Sequence, residues 1–172
     1  TPVKDSIEST LDTIKAIMAS KLDVPYTYTI YNDFSTEETT RQLEEAQKKY
    51  GFRLINLADV TTHPSPNYLL VLQMAQAEAI QDEAALLIVE SDVTVKPNTL
   101  QGLIDGSMNN PNCGIAASVT VNEVGEINYP YDYAKGKENQ VIDNRKHCSF
   151  CCSLLTLDLL KAFDFQQRTG LM

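Results

Sequence analysis

The sequence predicts a single α/β domain over residues 1–172, with a central mixed, mainly parallel sheet flanked by helices. Three observations predict it. Helical and extended apolar patterns alternate along the chain, and such alternation is typical of sheets whose strands run mostly parallel. No internal repeat and no interdomain linker interrupts the alternation. The hydrophobic share of 43% in 172 residues is enough to bury one core.

The N-terminal third predicts a helix, a strand and a second helix. Apolar residues recur at helical spacing over 6–18. The run "YTYTIYND" at 26–33 alternates and is rich in Tyr, Thr and Ile, as strands are. A hydroxyl residue at 35–36 is expected to cap a helix that reaches Tyr50, with Gly51 beyond its end.

The middle of the chain continues the alternation. "FRLINL" at 52–57 predicts a short strand, and a helix is expected from about Pro66, since Pro is favoured at a first helical position. The apolar run "LLIV" at 86–89 predicts a strand buried on both faces. A helix should then begin at Pro97 and reach about Met108.

The C-terminal third is less regular. "CGIAASVTV" at 113–121 predicts a strand, and the segment that follows, 122–133, predicts a hairpin or irregular excursion around Gly125. "CSFCCSLLT" at 148–156 is apolar enough for a final buried strand, ahead of a short helix at 157–163.

Two of the predicted strands end in acids. Asp33 closes the run at 26–33, while Glu90 and Asp92 follow "LLIV" with one residue between them. Ligands of α/β sheets bind outside the carboxyl ends of the strands, and carboxylates that converge there indicate a divalent metal, because they otherwise repel one another. A helix cap or a solvated charge explains a single acid equally well. Glu90 and Asp92 can reach one ion only if the strand breaks between them.

Charge and composition exclude several classes of protein. A net charge of −9 argues against a general nucleic-acid or anionic-membrane binder. It does not exclude a phosphate ligand whose charge a metal ion offsets. No apolar run approaches the roughly 20 residues that span a bilayer. The 4 Cys predict reduced thiols and hence a cytoplasmic protein. Because the chain opens at Thr1 and closes at Met172, we expect it to be part of a longer protein.

Four stretches resemble family 2 glycosyltransferases in order and spacing. "YTYTIYNDFSTEET" is similar to their nucleotide-binding stretch, a strand that ends in Asp-Asp-Gly-Ser-Thr-Asp-x-Thr. "LLIVESDVTVKPNTL" is similar to their metal-binding stretch, a strand followed by Asp-x-Asp. "TPVKDSIESTLDTI" resembles the family's opening, and "PNYLLVLQMAQAEA" stands where the family has an Arg-Asn pair. The resemblance implies a GT-A (Rossmann-like) fold.

The resemblance also implies an activity. It implies transfer of a sugar, with inversion, from a nucleotide-diphosphate donor to an acceptor hydroxyl on a glycan, lipid-linked sugar or protein. It implies Mn²⁺ or Mg²⁺ on the diphosphate, coordinated by Asp92, with Glu90 at the ribose or in the metal shell. Asp33 would bind the base. The donor-binding residues implied in total are Thr1, Pro2, Val3, Asp33, Asn67, Glu90, Ser91 and Asp92.

The sequence departs from the family pattern at four positions. Glu90 replaces an Asp, Asn32 replaces an Asp, and Pro66 stands where the family has Arg. Phe34 replaces a Gly, so the turn should lack the backbone freedom that Gly gives. The family's catalytic carboxylate lies a little beyond the segment matched by "LLKAFDF", and Asp164 there is expected to pack and cap, which leaves the catalytic base unassigned.

Two rival functions stay open, and these departures support the first of them. The first is a non-catalytic binding or scaffolding domain that keeps the fold with a degenerate site. The second is a receiver-type domain, which also clusters acids at strand ends. The second needs a Lys at the end of a later strand, and neither "CGIAASVTV" nor "CSFCCSLLT" offers one.

Further side chains leave alternatives open. Cys148 and Cys151 with His147 have partial zinc-site spacing, but Cys113 is the only other Cys, so buried strand thiols are the expected reading. His63 either faces the donor pocket or is a solvated loop residue. The basic cluster Arg145, Lys146 and His147 predicts an exposed loop rather than a diphosphate contact. Two roles are open for the tyrosines of the excursion: their rings either stack on a sugar or pack the excursion onto the sheet. These tyrosines are Tyr129, Tyr131 and Tyr133.

Overall fold

The computed structural model of the protein describes residues 1–138, 140–144 and 148–165. Its strands form two sheets of three strands each. The first is parallel and consists of Pro2–Val3 (β1), Thr29–Asn32 (β2) and Arg53–Asn56 (β3), in that order. The second is antiparallel and consists of Leu86–Val89 (β4), Ile115–Ala117 (β5) and Cys152–Leu155 (β6), in the order β4-β6-β5.

Helices separate the strands. They are Ile7–Ala19 (α1), Glu37–Tyr50 (α2), Tyr68–Gln81 (α3), Thr99–Met108 (α4) and Leu157–Ala162 (α5). The α/β class and the mixed pairing that the sequence predicts are confirmed. Parallel pairing is confined to the first sheet, because β6 runs opposite to both of its neighbours. Within the described residues no helix is long and apolar enough to cross a membrane.

The direction of β6 brings three chain segments to one edge of the second sheet. Since β6 is antiparallel to β4 and β5, it starts at the edge where they end. The Glu90 N–H donates to the Cys151 carbonyl at 2.9 Å, and the Ser118 N–H donates to the Cys152 carbonyl at 3.0 Å. The long connection between β5 and β6 therefore begins and ends at the sheet edge where Glu90 lies.

Helix α2 has the limits that its sequence predicts. The Thr36 hydroxyl accepts a hydrogen bond from the Thr39 N–H at 3.3 Å, which caps the first turn. At the other end Gly51 takes a left-handed φ of 79° and its N–H donates to the Gln47 carbonyl at 2.8 Å. Both signals are local, so they could be read without tertiary information.

Other elements are shorter than predicted. The strand expected over 26–33 comprises only Thr29–Asn32, and the final strand expected over 148–156 comprises only Cys152–Leu155. The helix expected from Pro66 begins at Tyr68. The residues ahead of this helix instead form side-chain hydrogen bonds with Asp33.

Helix α1 joins the two sheets through the core. Its Ile14 is fully buried in a cluster with residues of the first sheet and of α2, among them Val3, Ile30 and Leu43. One turn on, Ile17 packs in a cluster with residues of the second sheet and of α4, among them Val89, Leu100 and Cys152. This shared helix holds the ends of β1 and β4 in a fixed relation.

Candidate active site

Asp33 is buried and its carboxylate is nearly saturated with hydrogen bonds. It follows β2, is 7% exposed, and its N–H donates to the Val3 carbonyl at 2.8 Å. Its carboxylate accepts from the Asn67 N–H at 2.8 Å, from the Asn67 amide at 2.7 Å and from the Ser65 hydroxyl at 2.7 Å. A carboxylate accepts about four hydrogen bonds, so one position is left for a ligand.

The protonation of Asp33 follows from these contacts. Burial by itself raises the pKa of the carboxyl, but the hydrogen bonds from Asn67 and Ser65 outweigh it, and the pKa lies below its usual value. Asp33 is therefore ionised at neutral pH. The ionised group holds the loop ahead of α3, in which the Asn67 amide also donates to the His63 carbonyl at 3.1 Å.

The turn after Asp33 corrects one expectation from the sequence. Phe34 adopts a φ of 54°, so this residue enters the left-handed region that Gly would favour. Its ring packs beside Tyr31 and Leu57, and its carbonyl accepts from the Lys4 ammonium. The packing and this bond hold a conformation that costs of order 1 kcal/mol or more.

Asn32 has a structural role that uses both donors of its amide. Its amide donates to the Thr40 hydroxyl and to the Asn56 carboxamide oxygen, each at 2.9 Å. A carboxylate has no donor for either bond. The departure from the family pattern at this position thus ties β2 to β3 and α2.

Glu90 and Asp92 lie in a turn that ends the extended conformation of β4. The strand ends at Val89, and the Val93 N–H turns back to the Glu90 carbonyl at 3.2 Å. The break that the two acids need to reach one ion is therefore present. Glu90 is half-buried and Asp92 is exposed.

The two carboxylates affect one another. Burial, and after it the charge of Asp92, raises the pKa of Glu90 above its usual value. Among the described residues no hydrogen bond or ion pair reaches the Glu90 carboxylate. A cation placed between Glu90 and Asp92 would relieve their repulsion.

Both acids line a large cavity beside the second sheet. The cavity has a volume of about 1300 Å³. Its walls come from 92–96 after β4, from 118–123 and 128–131 in the connection that follows β5, and from 148–151 ahead of β6. Parts of three chain segments thus meet at the edge where β4 ends.

The carboxylates of Glu90 and Asp92 suit a divalent cation that a bound substrate also coordinates. No group of three or more His, Cys, Asp or Glu side chains could hold a metal in the described part of the chain. Mg²⁺ is usually bound by one or two carboxylates together with substrate phosphates and water, rather than by an all-protein cage. Glu90 and Asp92 supply that number of carboxylates.

Tyr68 belongs to this cavity and was missed in the sequence. It is the first residue of α3, lines the cavity, and its hydroxyl is buried with no hydrogen-bond partner. Burial, then the nearby Glu90 and Cys151, raises its pKa to about 12. The signal that could have found it is its place directly after Asn67, at the start of a helix.

The remaining predicted donor-binding residues lie at the edges of β1 and β4. Thr1 is bonded through its hydroxyl to the Tyr28 hydroxyl at 3.0 Å. Pro2 is half-buried, and Val3, 1% exposed, packs in the core. The Ser91 carbonyl accepts from the Thr13 hydroxyl at 3.1 Å, which ties α1 to the turn between the acids.

The site residues form two groups that meet on α3. One group is Asp33 with Asn67, and the other is Glu90 with Asp92 on the cavity wall. Neither Asp33 nor Asn67 lines the cavity. Asn67 and Tyr68 are adjacent in the chain, so the start of α3 connects the groups.

The structure gives one of the tyrosines singled out in the sequence a packing role. Tyr131 is 5% exposed and packs edge-on against Tyr133, with ring centroids 6.3 Å apart. Tyr129 is 88% exposed and lines the cavity. Tyr131 therefore packs the excursion, while Tyr129 is free to meet a ligand.

The cysteines are only partly the buried thiols that the sequence predicts. Cys152 in β6 is fully buried, but Cys148 is exposed, and Cys113 and Cys151 are half-buried. The prediction is wrong for Cys148, because the strand begins only at Cys152. The described residues offer Cys148 and Cys151 no third metal ligand.

The basic side chains singled out in the sequence have different outcomes. His63 is an exposed loop residue whose Nδ1 lies 2.9 Å from the Pro64 carbonyl oxygen. Arg145, Lys146 and His147 lie outside the described residues.

Comparison with known proteins identifies the class of fold and then the family. The fold is that of a GT-A glycosyltransferase domain: a mannosyltransferase from Pyrobaculum calidifontis, solved in complex with GDP-Man and Mn²⁺, superposes with a TM-score of 0.59. It is 14% identical, and the match covers 94% of this chain and 44% of that chain. Residues 1–163 match the family described as Glycosyl transferase family 2, and the chain belongs to this family. No curated protein matches the chain by sequence.

Proposed function

We propose that the chain binds a nucleotide-diphosphate sugar and transfers the sugar, with inversion, to an acceptor hydroxyl. The observation that carries the proposal is that Glu90 and Asp92, placed by the break after β4, both line the cavity of about 1300 Å³. Membership of glycosyl transferase family 2 over 1–163 supports the reaction class. The mannosyltransferase with the same fold was solved with a sugar nucleotide and a divalent metal.

Charge explains why such a site would use a metal. The chain has a net charge of −9, and the cavity presents two carboxylates to a diphosphate that is itself anionic. Glu90 and Asp92 would hold Mn²⁺ or Mg²⁺. When bound, the cation acts as a Lewis acid that offsets the charge developing on the diphosphate leaving group.

The chain's own residues bind and orient the donor. Asp33, ionised and with one free acceptor position, would accept a hydrogen bond from the nucleotide base. Asn67 and Ser65 keep that carboxylate in place through three hydrogen bonds. The start of α3 then leads from the base-binding group to the cavity, where the sugar and diphosphate would lie.

Nucleotide titration tests the proposal. We expect at least one of UDP, GDP and dTDP to bind in the presence of MnCl₂ and to bind much more weakly after chelation with EDTA, as measured by isothermal titration calorimetry. Binding of none of the three with Mn²⁺, or equal binding with and without it, would contradict the proposal.

A non-catalytic binding domain is the second candidate. It is favoured by one observation: of the described residues that line the cavity, only Glu90, Asp92 and Glu123 are carboxylates, and Glu123 lies on the exposed turn around Gly125. With Glu90 and Asp92 assigned to a metal, Glu123 alone is left as a general base. Nucleotide binding without any transfer or hydrolysis of GDP-mannose or UDP-glucose would support this candidate over the first.

A further inference from the structure

The cavity that Glu90 and Asp92 line has room for more than one small ligand. Its volume is about 1300 Å³, whereas pockets for a single small ligand measure about 300–1,000 Å³. The two acids follow β4, but another part of the wall comes from 118–123 and 128–131 in the connection after β5. This part contributes one charged side chain, that of Glu123. A cation and a diphosphate at the two acids would therefore leave space for a second, uncharged ligand beside the connection.

Tyr129 presents an aromatic ring at the mouth of this cavity. The residue lines the cavity although it is 88% exposed. Within the described residues its ring makes no aromatic contact. A ring that lines a cavity and is still almost wholly exposed lies at the opening, so its apolar faces are available to a ligand that enters from solvent.

The backbone on both sides of Tyr129 is fixed. The Asn128 N–H donates to the Thr120 carbonyl at 3.0 Å, and the Asn128 amide donates to the Thr120 hydroxyl at 3.2 Å. On the other side Tyr131 is 5% exposed, and its N–H donates to the Asn128 carbonyl at 2.8 Å. The turn thus holds the exposed ring in place before any ligand arrives, which lowers the entropy cost of binding.

The polar groups next to the ring suit the hydroxyl groups of a sugar. The Thr120 hydroxyl accepts from Asn128, so its own hydrogen is available to donate. None of the described residues donates to the Asn128 carboxamide oxygen. A sugar ring has C–H groups that suit the negative face of an aromatic ring, and hydroxyl groups that both donate and accept. A lipid chain would cover the Tyr129 ring but would leave both polar groups unpaired.

We propose that the acceptor is recognised through a sugar ring that stacks on Tyr129 at the mouth of the cavity. Hydroxyl groups of that sugar pair with the Thr120 hydroxyl and the Asn128 carboxamide oxygen. This inference rests on the proposed function, which specifies the acceptor only by its hydroxyl group. A glycan and a lipid-linked sugar both offer such a ring, whereas the hydroxyl of a protein side chain does not.

The experiment compares Tyr129→Ala with Tyr26→Ala, a control whose ring is 47% exposed and does not line the cavity. Saturation-transfer NMR gives the Kd for methyl glycosides of glucose, galactose, mannose and N-acetylglucosamine, with and without MnCl₂ and UDP or GDP. We expect at least one glycoside to bind the wild type and Tyr26→Ala, and to bind Tyr129→Ala about fivefold more weakly. Tyr129→Phe keeps the ring faces and should bind as the wild type does. Equal affinity in Tyr129→Ala, or no glycoside bound by the wild type, would overturn the inference.

Octyl glycosides of the same sugars distinguish the two sources of the ring. Equal affinity for the octyl and methyl glycosides assigns the site to a glycan. Tighter binding of the octyl glycoside, with the methyl glycoside still bound, assigns it to a lipid-linked sugar. Binding of octyl glycosides alone would overturn the inference, because the alkyl chain rather than the sugar would then cover the ring.

Two further measurements separate this inference from the proposed function and from folding. Calorimetry should give Tyr129→Ala the same affinity as the wild type for UDP-glucose and GDP-mannose; a loss would overturn the inference, since the ring would then contact the donor. The Tm of Tyr129→Ala should equal that of the wild type, because the ring is exposed. A clear fall that Tyr129→Phe restores would show that the ring packs within the protein, and would also overturn it. If no nucleotide binds but a glycoside still binds through Tyr129, the proposed function falls while the sugar site stands.

Discussion

At the scale of the residue, Asp33 combines burial with a negative charge. The Asn67 and Ser65 donors compensate the loss of water, and the carboxylate in turn fixes the loop that leads into α3. The group thus stabilises the fold and prepares a ligand contact at once. An Asn side chain at position 33 would keep one acceptor oxygen. Its NH₂ group, however, would face the hydrogen-bond donors of Asn67 and Ser65.

Asp33→Asn should lower the free energy of unfolding at pH 7 by about 1.5–3 kcal/mol, the range for hydrogen bonds to a charged group. The folded-state pKa of Asp33 is lowered, so its contribution is complete above the unfolded pKa and is lost as pH falls through the folded pKa. The difference between variant and wild type should therefore shrink below about pH 4. Urea unfolding at several pH values measures it. Asp23→Asn, an exposed loop position, is the control; a difference that does not depend on pH would contradict the assignment.

Asp92→Asn should separate binding from stability. Its charge is the second cause, after burial, of the raised pKa of Glu90, so its removal relieves repulsion in the ligand-free protein. We expect an unfolding free energy equal to or above that of the wild type, together with at least a tenfold loss of Mn²⁺-dependent nucleotide affinity, about 1.4 kcal/mol. Calorimetry and urea unfolding of the same preparations measure both, with Asp23→Asn again as the control. Retained Mn²⁺-dependent affinity would remove Asp92 from the metal site.

Candidate site residues could be recognised in the sequence where their place next to a predicted strand was sufficient. Asp33, Glu90 and Asp92 were singled out because each follows a predicted strand, and the structure places each at a strand end. Tyr68 was not predicted, although it directly follows Asn67, because its buried hydroxyl without a partner is visible only in the structure. The left-handed φ of 54° at Phe34 was also hidden, since it is sustained by packing from other segments.

At the scale of the element, helices were predicted more closely than strands. The limits of α2 depend on Thr36 and Gly51, which act within one turn of the chain. Strand β6 depends instead on β4 and β5, which lie far from it in sequence and pair with only Cys152–Leu155. An apolar run such as 148–156 shows that a strand can form but not how much of it finds partners.

Thr36→Ala should lower the free energy of unfolding by about 1 kcal/mol, the usual cost of an N-cap hydroxyl. The hydroxyl accepts from the Thr39 N–H, and no other oxygen of residue 36 can replace it at that place. Chemical denaturation measures the change. Thr36→Ser keeps the hydroxyl and should be nearly neutral. Equal losses in the two variants would show that the methyl group of Thr36, rather than the cap, is responsible.

At the scale of the whole molecule, function depends on how the two sheets are joined. The alternation of strands and helices predicted an α/β fold, but it could not reveal that the second sheet is antiparallel. That direction depends on the connection between β5 and β6, whose sequence has neither helical nor strand periodicity. The antiparallel β6 returns the chain to the end of β4 and so builds the cavity against Glu90.

A donor that occupies both groups of site residues should protect both sheets from amide hydrogen exchange. The base would contact Asp33 at the end of β2, while the diphosphate and sugar would contact the cavity beside β4. With saturating UDP or GDP and MnCl₂, we expect slower exchange in 65–70 and in 90–96 together, as measured by mass spectrometry of peptic peptides.

Residues 20–27 provide the internal control for this experiment, because they precede β2 and lie at the opposite ends of the parallel strands from Asp33. Their exchange should not change, since a ligand at the carboxyl edge cannot reach them and only general stabilisation would slow them. Protection confined to 90–96 would place the nucleotide wholly within the cavity. Asp33 and Asn67 would then hold the start of α3 without touching the ligand, and the base-binding role of Asp33 would be wrong.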